Sequence, residues 1–99
     1  MTLQFHPGAE AEHLDQVAWY ESRQAGLGAR YIAAVGDALR KIEESPGRFP
    51  REAGTSIRRA PVDDFPFAVV FRTTGTGIEV LAVSHNRRRP AYWLSRSKD

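Results

Sequence analysis

The stretch PFAVVFRTTGTGIEVLAVSH, residues 66–85, decides the fold of this chain. Two runs rich in β-branched and aromatic residues flank the segment TTGTG at 73–77, which is typical of a hairpin loop between two strands. We therefore predict one strand over residues 66–72 and another over 78–85. The second run is almost wholly apolar from 80 to 83, which indicates a strand in the centre of a sheet.

The residues before this hairpin extend the sheet. Residues 56–62 are predicted to form a strand, and the Asp63-Asp64 turn joins it to the hairpin. Residues 46–55 are rich in Pro and Gly and are predicted to form a loop. Leu3-Gln4-Phe5 alternates briefly, which favours a further short strand at one edge. The sequence thus predicts a three-stranded antiparallel meander with a possible fourth strand.

Two amphipathic helices are predicted between the first strand and the loop. The first begins at Pro7, which suits a first helical turn, and ends near Gly26. The second begins at Gly28 and is stopped by Ser45-Pro46-Gly47. The expected inward residues are Ala11, Leu14, Val17 and Ala18 in the first helix, and Ile32, Val35, Leu39 and Ile42 in the second. The short connection predicts an antiparallel helical hairpin.

Two single residues carry further expectations. Gly36 interrupts the second helix, and we expect it to mark a close approach between the helices. His13 is expected to face solvent. After Pro90 the tail is predicted to add one final helical turn.

The fold class that follows is α+β with the order β-α-α-β-β-β. A helical hairpin packs on one face of a small antiparallel sheet, and the other face is left open to bind a ligand or partner. With 99 residues and 11.1 kDa, we expect a single domain over residues 1–99.

Composition excludes several classes of function. The chain has no cysteine, which excludes disulfides and thiolate metal sites and suits a reducing cytoplasm, where we expect the protein. The sequence contains no apolar run of about 20 residues, so no contact with the membrane interior is expected. His6, His13 and His85 lack the spacing of metal ligands, so neither a metal nor another cofactor is predicted.

Charge is distributed unevenly along the chain. Residues 1–50 contain five Lys or Arg against seven Asp or Glu, whereas residues 51–99 contain nine against five. Twelve of the fourteen basic residues are Arg, whose planar guanidinium matches phosphate and carboxylate groups. The C-terminal half is therefore expected to meet an anionic partner.

The segment HNRRRPAYW, residues 85–93, contains the strongest candidates for chemistry. It combines an imidazole (His85), three guanidiniums (Arg87, Arg88, Arg89) and a phenol (Tyr92). Arg side chains neutralise phosphates, aromatic rings stack on unpaired bases, and a base near a 2′-hydroxyl starts RNA cleavage. The predicted site therefore has His85, Tyr92 and Arg72 as catalytic residues. Arg59, Arg87, Arg88 and Arg89 are its predicted phosphate-binding residues.

Each of these residues also has a purely structural interpretation. Arg72 can pair with Asp63, Asp64 or Glu79 across the hairpin, and an arginine run is usually a solvated surface. Tyr92 and Trp93 can serve to cap the core instead of stacking on a ligand. The sequence leaves these alternatives open.

Taken together, several segments resemble the RelE/ParE superfamily of toxins from bacterial type II toxin–antitoxin systems, which includes plasmid stabilisation proteins. The resemblance is carried by Ala18-Trp19-Tyr20, Arg48-Phe49-Pro50, Ile57-Arg58-Arg59, residues 65–72, and residues 80–83 followed by His85 and Arg88. These segments occur in the order and spacing of the superfamily over nearly the whole chain.

The resemblance implies a toxin that a cognate, acidic antitoxin neutralises in a hetero-oligomeric complex. RelE-like members cut messenger RNA on the ribosome without a metal, and Arg59, Arg72, Arg88 and Tyr92 fall at positions comparable to their site residues. This mRNA endonuclease is the leading hypothesis from the sequence. ParE-like members instead inhibit DNA gyrase and have no nuclease site, and a third alternative is an inactive module that binds the antitoxin. The chain lacks a lysine pair of RelE itself, with Arg48 and Arg51 as the basic residues of that loop.

Overall fold

The computed structural model describes residues 2–89 and 91–97. Its elements are β1 (Thr2–Phe5), α1 (Pro7–Arg23), α2 (Leu27–Glu44), β2 (Arg58–Pro61), β3 (Phe67–Thr73) and β4 (Gly77–His85). Single 3-10 turns occur at Pro46–Arg48 and Leu94–Ser97. The predicted order is confirmed, and the predicted turn in the tail lies at Leu94–Ser97. Pro90 itself lies outside the described residues.

The four strands form one sheet in the order β1-β4-β3-β2. The strands β2, β3 and β4 form the predicted antiparallel meander, and β3 and β4 occupy the centre. At the edge, β1 pairs in parallel with β4, with Thr2 opposite Gly77 and Phe5 opposite Val80. The sheet is therefore mixed, because the helical hairpin carries the chain across one face before the meander begins.

Both helices pack on one face of this sheet, as predicted. Side chains from α2 and from alternate positions of β3 and β4 meet there and are almost fully buried. The larger members are Tyr31, Val35, Ile42, Phe67, Val69, Phe71, Ile78, Val80 and Val83. Tyr31 stands edge-on to Phe65 and Phe67, with ring centroids 5.2 and 5.5 Å away, a geometry that favours aromatic pairs.

The inward face of α1 differs from the predicted one. Leu14 is 60% exposed, whereas Ala9, Val17 and Tyr20 contact the core. The prediction is confirmed for Val17 and was wrong for Ala11, Leu14 and Ala18, which are exposed, because polar residues occupy inward positions of this helix. One of them is His13, which stacks on Tyr31 with 5.6 Å between ring centroids instead of facing solvent. Burial lowers the pKa of His13.

The close approach between the helices is at Gly28 and not at Gly36. A Cβ added at Gly28 would lie 3.0 Å from the Val17 carbonyl oxygen, whereas one at Gly36 would meet no described atom within 4 Å. The Glu21 carboxylate also accepts hydrogen bonds from the backbone N–H groups of Gly26 and Gly28. The connection between the helices is thereby fixed at the start of α2, where unpaired N–H groups attract a carboxylate.

The second face of the sheet is partly covered, which corrects the expectation of an open face. The pairing of β3 with β4 shifts between Val70 and Phe71, and this irregularity turns both Leu81 and Ala82 toward the second face. Trp93 packs there against Leu81, Ala82 and Val70 and is 2% exposed. The alternative that Trp93 caps a core is therefore the correct one.

Candidate functional site

Beyond the end of β1, the outer edge of β4 is occupied by side chains. No described strand pairs with this edge after Val80. Glu12 of α1 accepts a hydrogen bond from the Val83 N–H at 3.3 Å, and Arg96 donates to the Leu81 carbonyl at 3.0 Å. These contacts satisfy backbone groups of a strand edge that would otherwise be open to another chain.

Residues 91–97 are called the C-terminal segment below. Glu12 is the centre of a polar cluster that joins this segment to α1. The two Nη atoms of Arg96 bind its two carboxylate oxygens at 3.0 and 3.2 Å, and the Tyr92 hydroxyl donates at 2.7 Å. A nitrogen of Arg88 lies 3.8 Å from the same carboxylate. Glu12, Arg88, Tyr92 and Arg96 are called the Glu12 cluster below.

Tyr92 is held in this cluster as a hydrogen-bond donor. Burial raises the pKa of Tyr92, and the hydrogen bond to Glu12 raises it further. The Arg88 guanidinium stacks over the ring of Tyr92, 4.0 Å from its centroid, which is close enough for a cation–π interaction. The structure therefore brings Tyr92 and Arg88 together, as the predicted site requires.

His85 lies at the end of β4 on the helical face of the sheet. Its ring is edge-on to Phe67, 5.0 Å between centroids, and its Nδ1 accepts a hydrogen bond from the Arg87 N–H at 3.0 Å. It borders a surface cleft formed with Trp19 and Tyr20 of α1. His85 thus faces the side of the sheet opposite to Trp93.

Arg72 lies far from His85. Its Nε donates to Glu79 at 2.8 Å, the cross-hairpin pair that the sequence offered as an alternative. Glu79 and His85 are six residues apart on β4, roughly 20 Å along a strand. Arg72 follows Phe71 on β3, and successive side chains of a strand point to opposite faces. The Arg72 side chain is therefore on the second face, whereas that of His85 is on the helical face.

The remaining arginines of the predicted site are divided between two places. Arg59 pairs with Val70 across β2 and β3, which places it on the second face, and its guanidinium lies 3.5 Å from Glu52. Arg87, Arg88 and Arg89 form an exposed run after β4. The structure thus groups Arg88 with Tyr92, and leaves Arg72 and Arg59 on the sheet surface away from His85.

Sequence reasoning missed Glu12 and Arg96. The available signal was a carboxylate at an inward position of a helix, because a buried charge requires a partner. That signal was hidden by the wrong assignment of the inward face of α1. In the described part of the chain, no group of three or more His, Cys, Asp or Glu residues is placed to hold a metal ion.

An apolar groove lies between the two helices, beside the end of β1. Its lining includes Phe5, Leu14, Ile32 and Leu39 together with the polar Glu10 and His13, and its volume is about 280 Å³. Ile32 is 49% exposed, so large apolar side chains remain in contact with water. Such a patch on a small protein is typical of a protein-interaction surface.

This α+β arrangement also occurs in a toxin–antitoxin system. A chain of a structure titled "Chromosomal ParDE TA system from P. aeruginosa" superposes with a TM-score of 0.72 over 86% of this chain and 95% of that chain, at 17% sequence identity. Residues 3–90 match the family described as "ParE toxin of type II toxin-antitoxin system, parDE". A comparison with curated proteins gave no match.

The chain therefore belongs to the ParE toxin family. It is the toxin of a type II toxin–antitoxin system, and its partner is a cognate antitoxin. Among the described helices, none is both long and apolar enough to cross a membrane.

Proposed function

We propose that this toxin acts by binding and inhibiting DNA gyrase, the activity that the sequence resemblance associates with ParE-like members. The observation that supports this choice is the separation of the predicted catalytic residues. Arg72 and His85 lie on opposite faces of the sheet, roughly 20 Å apart along the strand direction.

Cleavage of RNA by a metal-independent mechanism needs these groups at one phosphate. A general base acts on a proton within hydrogen-bond reach, and the group that stabilises the developing charge must lie near the same phosphate. Arg72 cannot serve a phosphate that is in contact with His85 without a large rearrangement of β4. The geometry therefore favours a binding function over a catalytic one.

The state of Tyr92 supports the same choice. Its hydroxyl donates its proton in a hydrogen bond to Glu12, and burial raises its pKa. A phenol in this arrangement contributes to the structure of the C-terminal segment. The accessible groups nearby are the guanidiniums of Arg87, Arg88 and Arg89, and arginine is enriched among residues that dominate binding between proteins.

A supercoiling assay with purified toxin and gyrase tests this proposal. We expect inhibition at micromolar toxin, and we expect His85→Ala to inhibit as well as the wild type because His85 has no catalytic task. Replacing Arg87, Arg88 and Arg89 together by Ser should weaken inhibition about tenfold or more, the effect of losing a few favourable contacts.

Primer extension on messages from arrested cells decides between the alternatives. Intact messages during growth arrest are the expected result. Cleaved messages, lost with His85→Ala and with gyrase unaffected, would instead establish the mRNA endonuclease, which stays a prediction. Normal growth with abundant soluble toxin would favour the inactive antitoxin-binding module.

We further propose that the antitoxin covers the apolar groove of the helical hairpin. Burying one side chain the size of Ile or Leu contributes roughly 1.5–3 kcal/mol, so this groove supplies affinity that does not depend on charge. We expect Ile32→Asp to weaken antitoxin binding about tenfold or more. Calorimetric titration with the antitoxin encoded beside the toxin measures the effect.

The matched control is Ala29→Asp, which places the same charge at an exposed position of α2. It should bind the antitoxin as tightly as the wild type. Equal weakening by both variants would show that charge on the helix, and not burial in the groove, sets the affinity.

A further inference from the structure

We infer that Glu12 is the positioning residue for the arginine run: it fixes the C-terminal segment on the sheet and thereby presents Arg87, Arg88 and Arg89. The inference rests on the proposed function only in taking this run as the surface that contacts the target. Glu12 itself need not touch the target.

The contacts of Glu12 join three separate parts of the chain. Its carboxylate is on α1, accepts from the backbone of β4 at Val83, and binds Tyr92 and Arg96 in the C-terminal segment. Residues 12 and 96 are nearly the whole chain apart, so no local structure holds them together. Together with the burial of Trp93, this single side chain of the N-terminal helix therefore holds the C-terminal segment in place.

The burial of the cluster makes its charges interdependent. The side chains of Glu12 and Arg96 are 16% and 19% exposed. Each of these largely buried charges stabilises the other, because removing one partner leaves the other buried without an opposite charge. Arg96 presents both nitrogens of its fork to the carboxylate, a geometry that fixes orientation as well as distance.

Arg88 links the cluster to the arginine run. Its guanidinium stacks over the Tyr92 ring and lies 3.8 Å from the Glu12 carboxylate, and its backbone N–H donates to the His85 carbonyl. Arg88, in the middle of the run, is thus held twice: its backbone is bound to the end of β4, and its side chain lies in the Glu12 cluster. If the C-terminal segment detaches, Arg88 loses the second of these supports.

Hydrogen exchange with Glu12→Gln tests whether Glu12 holds the segment. This change keeps the side-chain volume and removes the charge. We expect amides of residues 91–97 to exchange roughly tenfold faster, since a charge-assisted hydrogen bond contributes about that factor. Amides of β3 should be unchanged. Unchanged exchange in residues 91–97 would overturn the inference.

Two further variants keep the test specific. Glu10→Gln removes the same charge from an exposed position of α1 and should leave exchange unchanged. Arg96→Gln breaks the cluster from the other side, so it gives the same result even if Glu12→Gln should disturb α1. The double variant should show no more than the larger single effect, and additive effects would count against a coupled cluster.

Toxicity separates positioning from mere stability. We expect Glu12→Gln to lose potency in growth arrest about tenfold while exchange in β3 stays that of the wild type. A loosened segment with full potency would overturn the positioning role. If the wild-type toxin does not inhibit gyrase, the gyrase proposal is refuted. If Glu12→Gln nevertheless loses growth arrest, the positioning role of Glu12 still stands.

Discussion

Trp93→Ala is expected to lower the free energy of unfolding by about 3–5 kcal/mol, the usual cost of truncating a buried aromatic side chain to Ala. Trp93 is 2% exposed and covers Val70, Leu81 and Ala82 in the middle of the sheet. Removing the indole takes away the apolar contacts that Val70, Leu81 and Ala82 make on this face of the sheet. Since small domains are stable by only about 5–15 kcal/mol, urea denaturation should show a large shift of the midpoint.

Leu94→Ala is the matched control for this prediction. Leu94 is the next residue, lies in the same segment and is 40% exposed. Its truncation should change the stability by no more than about 0.5 kcal/mol, as is usual for surface positions. Equal stability of the Trp93→Ala protein and the wild type would show that the C-terminal segment does not pack on the sheet in solution.

Gly77→Ala is expected to displace β1 from the sheet. A Cβ at this position would overlap the carbonyl of Thr2 and lie 2.7 Å from its backbone nitrogen. Thr2 and Gly77 are paired at the start of the parallel ladder, so the strand must shift to relieve the overlap. Overpacking of this kind typically costs about 1–3 kcal/mol. Hydrogen exchange of residues 2–5 should rise together with a loss in the free energy of unfolding.

Gly75→Ala provides the comparison in the same loop. A Cβ at Gly75 would meet no atom of the described residues within 4 Å. This variant should be as stable as the wild type and should keep the exchange rates of β1. A similar loss from both glycines would mean that loop flexibility, and not contact with Thr2, determines the effect.

Hairpin and strand predictions succeeded where the chain follows one simple pattern. The loop at 73–77 and the apolar runs on either side place β3 and β4 within one residue of the observed bounds. The second helix was equally clear, because Val35 and Ile42 are buried as predicted and Leu39 packs against the core, but the prediction was wrong for Ile32, which is 49% exposed. In these segments the apolar residues repeat with the period of the helix or strand because one face of that element packs against the core.

The first helix and the site were harder because polar residues point inward. Glu12 and His13 occupy core-facing positions of α1 through specific partners in distant parts of the chain. A hydrophobic pattern cannot reveal such partners. It placed the inward face on Leu14, which is largely exposed.

The residues of the predicted site were grouped because they are close in sequence or lie on adjacent strands. His85, Arg88 and Tyr92 were treated as one group, and Arg72 was expected to join them. Strand alternation and the length of β4 instead separate Arg72 from His85. The sequence also lacked any sign of the shift in strand pairing at Val70. This shift turns Leu81 to the second face, where it forms part of the surface on which Trp93 packs.

The parallel pairing of β1 with β4 has a consequence for synthesis on the ribosome. Thr2–Phe5 is made first, but its partner Gly77–Val80 emerges only when most of the chain has been translated. Until then the nascent hairpin has no sheet to cover its apolar side, and contacts between such distant residues form slowly. The nascent toxin is therefore only partly folded until translation is nearly complete. During this interval the cell can synthesise the antitoxin that neutralises it.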